Sequence, residues 1–174
     1  MYARTLFVAL FTVIISVFLI GCQANDITLQ DETVEVTPID QLERTDHFID
    51  GALEHILEGE INRQGEAVGF HYNMLETKKG EIIENTKTPV DSNGVYEAQV
   101  EIDGVKKRGN NGYSTFFPDE WDTQEVIDAI NDAYEHRQFI HGNTYEGITE
   151  DGVILRMYVT NDEQIISAFP LYNR

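Results

Sequence analysis

The sequence predicts an α+β domain, with an N-terminal helical part followed by a mainly antiparallel β-sheet packed with a helix. Three observations predict it. Phe48, Ile49, Ala52, Leu53, Ile56 and Leu57 recur at helical spacing. Tyr96, Ala98, Val100 and Ile102 alternate, as one buried face of a strand does. Near the C-terminus, apolar runs are separated by the short turn signals Asp151-Gly152 and Asn161-Asp162. Helices first and hairpins after is the order of an α+β chain with segregated elements.

Taken in order, the first helix covers the 48–57 run, and Gly59 is its natural stop. His55 therefore sits near the C-terminal end of that helix, where the negative end of the dipole favours a protonated imidazole. The strand through Tyr96 to Ile102 ends at Asp103-Gly104, the turn of a hairpin. Asp122 and Glu125 have the spacing of a capping pair ahead of Val126, Ile127, Ile130, Ala133 and Tyr134, so a second helix is expected to about His136. Three strands follow, near Thr144 to Ile148, Val153 to Val159 and Ile165 to Phe169. The sequence contains no internal repeat and no low-complexity tract.

Ahead of the domain, Arg4 precedes an apolar run from Leu6 to Ile20 that is interrupted by Thr12 and Ser16 and closes on Leu19-Ile20-Gly21-Cys22. At roughly 15 residues the run is short for a bilayer-spanning helix, which needs about 20. It has the form of a secretory signal. The small residue before Cys22, the single cysteine of the chain, resembles a bacterial lipoprotein signal. Residues 1–21 are thus expected to be a lipoprotein signal peptide, with Cys22 lipidated and the remainder extracytoplasmic and anchored to the cell membrane. From residue 22 to 45 the chain is polar and acidic and reads as a spacer. Residues 46–174 form the expected domain, a suitable length for one core. One cysteine excludes an intrachain disulfide.

The formal net charge of −19 excludes tight binding of nucleic acid by bulk electrostatics, because phosphate-binding surfaces gain affinity by releasing counterions to basic side chains. A local cluster can still hold one phosphate, and Lys106-Lys107-Arg108 is such a cluster. Weak binding to long RNA and a marked effect of salt or divalent ions are expected.

Three separated patches carry the chemistry. They are His55 in His55-Ile56-Leu57-Glu58-Gly59-Glu60, His71 in Val68-Gly69-Phe70-His71, and Lys106-Lys107 ahead of Gly112-Tyr113-Ser114-Thr115-Phe116-Phe117-Pro118. Two imidazoles, a cation and a hydroxyl are the parts that metal-free cleavage of an RNA phosphodiester requires. One histidine accepts the ribose 2′-hydroxyl proton, another donates to the departing 5′-oxygen, and a lysine holds the charge that builds on phosphorus. His55 and His71 lack the close spacing of a zinc pair, so no metal site is expected. Trp121, Phe116 and Phe117 read as core, and His47, His136 and His141 as surface residues.

Taken together, in this order and spacing, these stretches and the closing Ile165-Ile166-Ser167-Ala168-Phe169-Pro170 are similar to the bacterial EndoU nuclease domain, within the wider group that shares a fold with barnase and RelE-type toxins. The likeness covers about Gly51 to Tyr172. It implies a barnase/EndoU/RelE-like fold and an endoribonuclease that cleaves near uridine or another pyrimidine, leaving 2′,3′-cyclic phosphate. It implies no required cofactor, with manganese stimulation as in some members. By resemblance His55 is the general acid and His71 the general base, an assignment that the sequence alone leaves open. The lysine is Lys107 if the Asp103-Gly104 turn aligns with relatives, and Lys106 if the loop is one residue shorter. Ser114 matches a serine that hydrogen-bonds the pyrimidine edge, and Ser167 a position that is often threonine. Phe169 departs from the tyrosine of many relatives, keeping a stacking surface and losing the phenolic hydroxyl. The implied partners are RNA, the membrane through Cys22, and a cognate immunity protein of the kind that counters toxins of this family. The chain is expected to be a monomer. A different class of function, a surface lipoprotein that binds a partner with catalysis lost, is favoured by the acidity and by Phe169 and opposed by the retained histidines and lysine.

Overall fold

The computed structural model describes residues 36–173, so the expected signal, the lipidation of Cys22 and most of the spacer lie outside the described residues. The described chain is α+β, as expected, and consistent with a barnase-like or EndoU-like fold. Its two α-helices are α1 (Ala52–Leu57) and α2 (Thr123–Glu135). The first strands are β1 (Glu60–Ile61), β2 (Ala67–Val68), β3 (Gly80–Ile82), β4 (Tyr96–Ile102), β5 (Val105–Lys106) and β6 (Tyr113–Phe116). After α2 come β7 (Gln138–His141), β8 (Thr144–Ile148), β9 (Ile154–Val159) and β10 (Ile165–Pro170). Among the described residues no helix is long and apolar enough to cross a membrane.

One antiparallel sheet has the order β10-β9-β8-β7. In the other, β4 pairs with β3, β5 and β6, and β1 with β2 forms a small separate hairpin. Helix α2 owes its start to a complete capping box, with the Asp122 carboxylate accepting from backbone N–H groups of the first turn and Glu125 accepting from the Asp122 N–H. It turns Val126, Ile127, Ile130 and Ala133 inward against β8 and β9. The approach is close enough that a Cβ on Gly147 of β8 would lie 1.9 Å from the Ala133 carbonyl oxygen. Strand β4 alternates strictly, with Tyr96, Ala98, Val100 and Ile102 buried. These join Phe70 and Phe116 in a second apolar cluster, where Tyr96 and Phe116 stack at 4.9 Å. Phe117 belongs to the main cluster and Phe116 to the second, as expected, whereas Trp121 is only partly buried and packs against the main cluster beside Phe117.

Two expectations need correction. The first helix is one turn shorter than its apolar spacing suggests. Gly51, at φ +80°, breaks the chain ahead of Ala52, and Phe48 instead bridges Ile165 beside β10, with the Ile49 N–H donating to the Ile165 carbonyl. The acidic stretch is also not spacer to its end. Val36, Ile39 and Leu42 pack on the main core, and the Thr37 N–H and hydroxyl both donate to Asp122 at 2.7 Å. The three apolar side chains sit three apart, enough to cover one side of the core while acidic neighbours face water.

Candidate active site

The end of α1 supplies the first imidazole. His55 lies in the last turn and its Nδ1 meets the Glu60 carboxylate at 3.0 Å, across the helix stop. A carboxylate only accepts, so this contact places the proton on Nδ1 and leaves Nε2 as the exchangeable position.

The segment after β2 is sewn onto that same helix end. Phe70 N–H donates to the His55 carbonyl at 3.0 Å and His71 N–H to the Ile56 carbonyl at 2.7 Å. Gly69, at φ +73°, makes this possible, because a Cβ there would stand 1.9 Å from the His55 carbonyl oxygen. On its other side the His71 carbonyl accepts from Phe117 N–H. The second imidazole is thereby clamped between α1 and the end of β6.

His71 is 6% exposed, and its Nδ1 donates to the Thr115 carbonyl at 2.7 Å. Burial pushes its pKa well below the ordinary histidine value, and the Lys107 charge adds to the fall; the Thr115 bond opposes it, and His55 contributes least. The ring is therefore neutral near pH 7, with Nδ1 protonated and a lone pair on Nε2. Phe169 stacks on it with centroids 5.1 Å apart and planes 17° apart, which holds the ring's orientation.

Lys107 immediately follows β5, where the period-two alternation of a strand separates the two lysines. Lys106 is exposed opposite Glu101, whereas Lys107 is partly buried and reaches inward. Its Nζ donates to Ser114 Oγ at 2.7 Å and to the Gly69 carbonyl at 3.2 Å. Burial lowers its pKa from 10.5 to about 8. Two of its three donors are thus engaged and one remains for a ligand.

Ser114 is 1% exposed and its hydroxyl donates to the Gly69 carbonyl while accepting from Lys107. A hydroxyl so enclosed positions the lysine. Ser167 is buried on the cleft wall, and Tyr172 lines the cleft with its hydroxyl committed to the Pro89 carbonyl.

One cleft of about 900 Å³ takes in His55, His71, Lys107, Ser114, Ser167 and Phe169. Four remote segments therefore line one cleft. His47, His136 and His141 lie exposed outside it. The partners that orient the site were not foreseeable from residue type, since Thr115 and Gly69 act through backbone carbonyls. Glu60 was visible five residues after His55, although only the helix stop turns it back. Among the described residues no group of three or more His, Cys, Asp or Glu side chains is arranged to hold a metal ion.

A fixed neutral imidazole, a second imidazole and a lysine with a spare donor share one cleft of an α+β domain, a set able to move protons and hold an anion. Comparison with known families makes the class specific. The bacterial EndoU nuclease family matches residues 50–172, and the chain belongs to that family. It is similar to a protein named "Toxin" from Bacillus cereus, 46% identical over 132 residues. That match covers 76% of this chain and 24% of the relative, so the chain spans about a quarter of the relative's length. No solved structure matches.

Proposed function

We propose that the protein is an endoribonuclease that cleaves RNA beside uridine or another pyrimidine by internal transesterification. The observation that carries this reading is His71, a buried neutral imidazole whose Nδ1 is tied to Thr115, lying in one cleft with His55 and Lys107. His71 Nε2 takes the proton of the ribose 2′-hydroxyl. The oxygen attacks the adjacent phosphorus, and the bond to the 5′-oxygen breaks as His55 Nε2 delivers a proton to that oxygen. The products are a 2′,3′-cyclic phosphate and a 5′-hydroxyl. Lys107, through its unengaged donor, stabilises the charge that develops on the phosphoryl oxygens. Phe169 and Ser167 form the wall against which the nucleoside rests. The scheme runs on protein groups alone, and manganese is an arm of its test.

Cys22 is proposed to carry lipid and to hold the domain outside the cell membrane. The Bacillus cereus relative named a toxin favours a second layer to this reading, in which the activity harms a competitor and a cognate immunity protein restrains it.

The test is a deoxyoligonucleotide that contains a single ribouridine, incubated with the protein in EDTA or in manganese. One cut, with a cyclic phosphate on the uridine, is expected. His55→Ala and His71→Ala should each lose at least about a hundredfold in rate, the ordinary weight of general acid–base catalysis. Full activity in the double variant refutes the mechanism. A folded protein that leaves the substrate intact under both conditions points instead to a lipoprotein that binds without cutting.

A further inference from the structure

The sheet wall beside His71 carries a cation that the chemistry above does not use. Arg156 of β9 is the direct cross-strand neighbour of Phe169 on β10 and of Glu146 on β8. Directly paired strand residues lie about 5 Å apart at Cα. Two residues further along, Thr144, Tyr158 and Ser167 form the parallel row. Alternation sends Leu155, Met157 and Val159 into the core and leaves Arg156 and Tyr158 half-buried on the opposite face, which lines the same cleft. The sequence His71, Phe169, Arg156 therefore runs outward from the general base, first through an aromatic stack and then to a guanidinium.

Glu146 pins that guanidinium. Arg156 Nε and Nη2 both donate to one oxygen, Oε1, at 3.0 and 2.6 Å. This uses two of the five donors of an arginine. The side chain retains 39% of its exposure, so it is held in place without being covered. An exposed ion pair of this kind contributes little to stability, whereas a fixed, planar donor fork is well suited to a phosphate. The chain has 12 Lys and Arg against 31 Asp and Glu, and Lys107, Arg108 and Arg156 all line this cleft.

We infer that Arg156, oriented by Glu146, is a second phosphate subsite, which binds the phosphodiester next to the scissile one while the intervening nucleoside lies against Phe169 and Tyr158. The inference rests on the proposed cleavage of nucleic acid in this cleft. It makes the enzyme favour a strand with a charged phosphate on that side of the cut over a dinucleoside monophosphate.

The experiment uses the single-ribouridine oligonucleotide and two analogues in which the phosphate on one or the other side of the scissile bond is an uncharged methylphosphonate. The wild-type protein should lose about tenfold in kcat/KM with one of the two analogues, the order of one charge-assisted hydrogen bond at a half-exposed position. Arg156→Ala should lose about tenfold on the all-diester strand and nothing further on that analogue. Arg156→Lys should recover part of the discrimination, as a point charge without the fork. Should Arg156→Ala fold poorly, Arg156→Gln keeps much of the stem and should lose the discrimination in the same way. Equal discrimination in wild type and in a folded Arg156→Ala or Arg156→Gln overturns the subsite. Equilibrium binding of the same three strands with 2′-fluorouridine at the cut, which the enzyme cannot cleave, separates the two proposals. If the wild type cuts nothing, the nuclease reading fails. A diester preference in binding that Arg156→Ala removes still supports the subsite, and no preference refutes it.

Discussion

Lys107→Met should stabilise the protein and silence it. The lysine is held in a partly buried position that lowers its pKa from 10.5 to about 8, a drop worth at most about 3 kcal/mol at 1.36 kcal/mol per unit. Partial exposure cuts the real penalty to roughly 2 kcal/mol. Methionine keeps the unbranched stem and removes the charge. It also removes the donor to Ser114, which costs about 0.5–1 kcal/mol, while the Gly69 carbonyl keeps its bond from Ser114. The net expectation at pH 7 is a gain of about 1–2 kcal/mol, or a rise in Tm of roughly 3–8 °C for a domain of this size. The pH dependence is the sharper signature. Between about pH 8 and 10.5 the unfolded lysine holds a proton that the folded one has lost, so wild-type stability rises with pH across this window. The penalty is full below pH 8 and absent above 10.5, and the methionine variant has no such slope. Urea unfolding of both proteins at pH 7 and pH 10 measures it, and the variant's advantage should shrink by about 2 kcal/mol at the higher pH. An advantage that is unchanged or grows between the two would show that burial does not burden Lys107.

Other consequences of the geometry are testable in the same way. Phe169→Ala opens His71 to water, so the acid limb of the pH–rate profile, set in the wild type well below 6.5, should move up towards 6.5; an NMR titration of the ring gives the same shift, and an unmoved limb removes Phe169 from the site's electrostatics. Activity of the wild type should also fall as pH rises through about 8, where unliganded Lys107 loses its proton, and Lys107→Arg should remove that limb while lowering the rate. Gly69→Ala drives a Cβ into the His55 carbonyl at a backbone angle alanine avoids, and should cost on the order of 3 kcal/mol in urea unfolding, with activity lost faster than stability. A chain that begins at residue 46 forfeits the packing of Val36, Ile39 and Leu42 and both Thr37 bonds, and should unfold about 3 kcal/mol more easily than one that begins at residue 36; equal stability would return those residues to the spacer.

What the sequence discloses depends on whether a residue's task is written in its side chain. Helix α2 was legible because Asp122, Glu125 and the apolar face after them announce both start and direction. Strands β4 and β9 were legible because one face is buried, and Asp103-Gly104, Asp151-Gly152 and Asn161-Asp162 mark the turns that follow β4, β8 and β9. Strand β7 left no such trace, since Gln138 through His141 are all exposed and its residues answer to no core. Strands β1, β2 and β5 have two residues each, too few for any period to appear. At the site, the histidines and lysine declare themselves by type. The carbonyls of Thr115 and Gly69 do not, and they decide which nitrogen of His71 is basic and where Lys107 points. Ser114 stands out in the sequence as a hydroxyl in that stretch, and only the fold shows its bonds to Lys107 and the Gly69 carbonyl. Arg156 carried no mark at all, because its importance comes from β8, β9 and β10 lying side by side.

The acidity of the chain bears differently on binding and on catalysis. A second cleft, of about 400 Å³, is lined by Glu125, Asp128, Asp132, Glu135, Glu150 and Asp151, with Arg44 among them. That face repels a phosphate backbone, and the repulsion is the same whether the bound strand is intact or at the transition state. A field uniform in this sense weakens association and raises KM while leaving kcat untouched. Lys107 acts in the opposite way. In the proposed mechanism it sits against the position where charge would develop, already partly desolvated and held by Ser114, so its contribution would grow as the reaction proceeds. A net charge of −19 is thus compatible with the proposed site, in which the few cations are fixed where charge would be made and the many anions elsewhere would act on encounter alone.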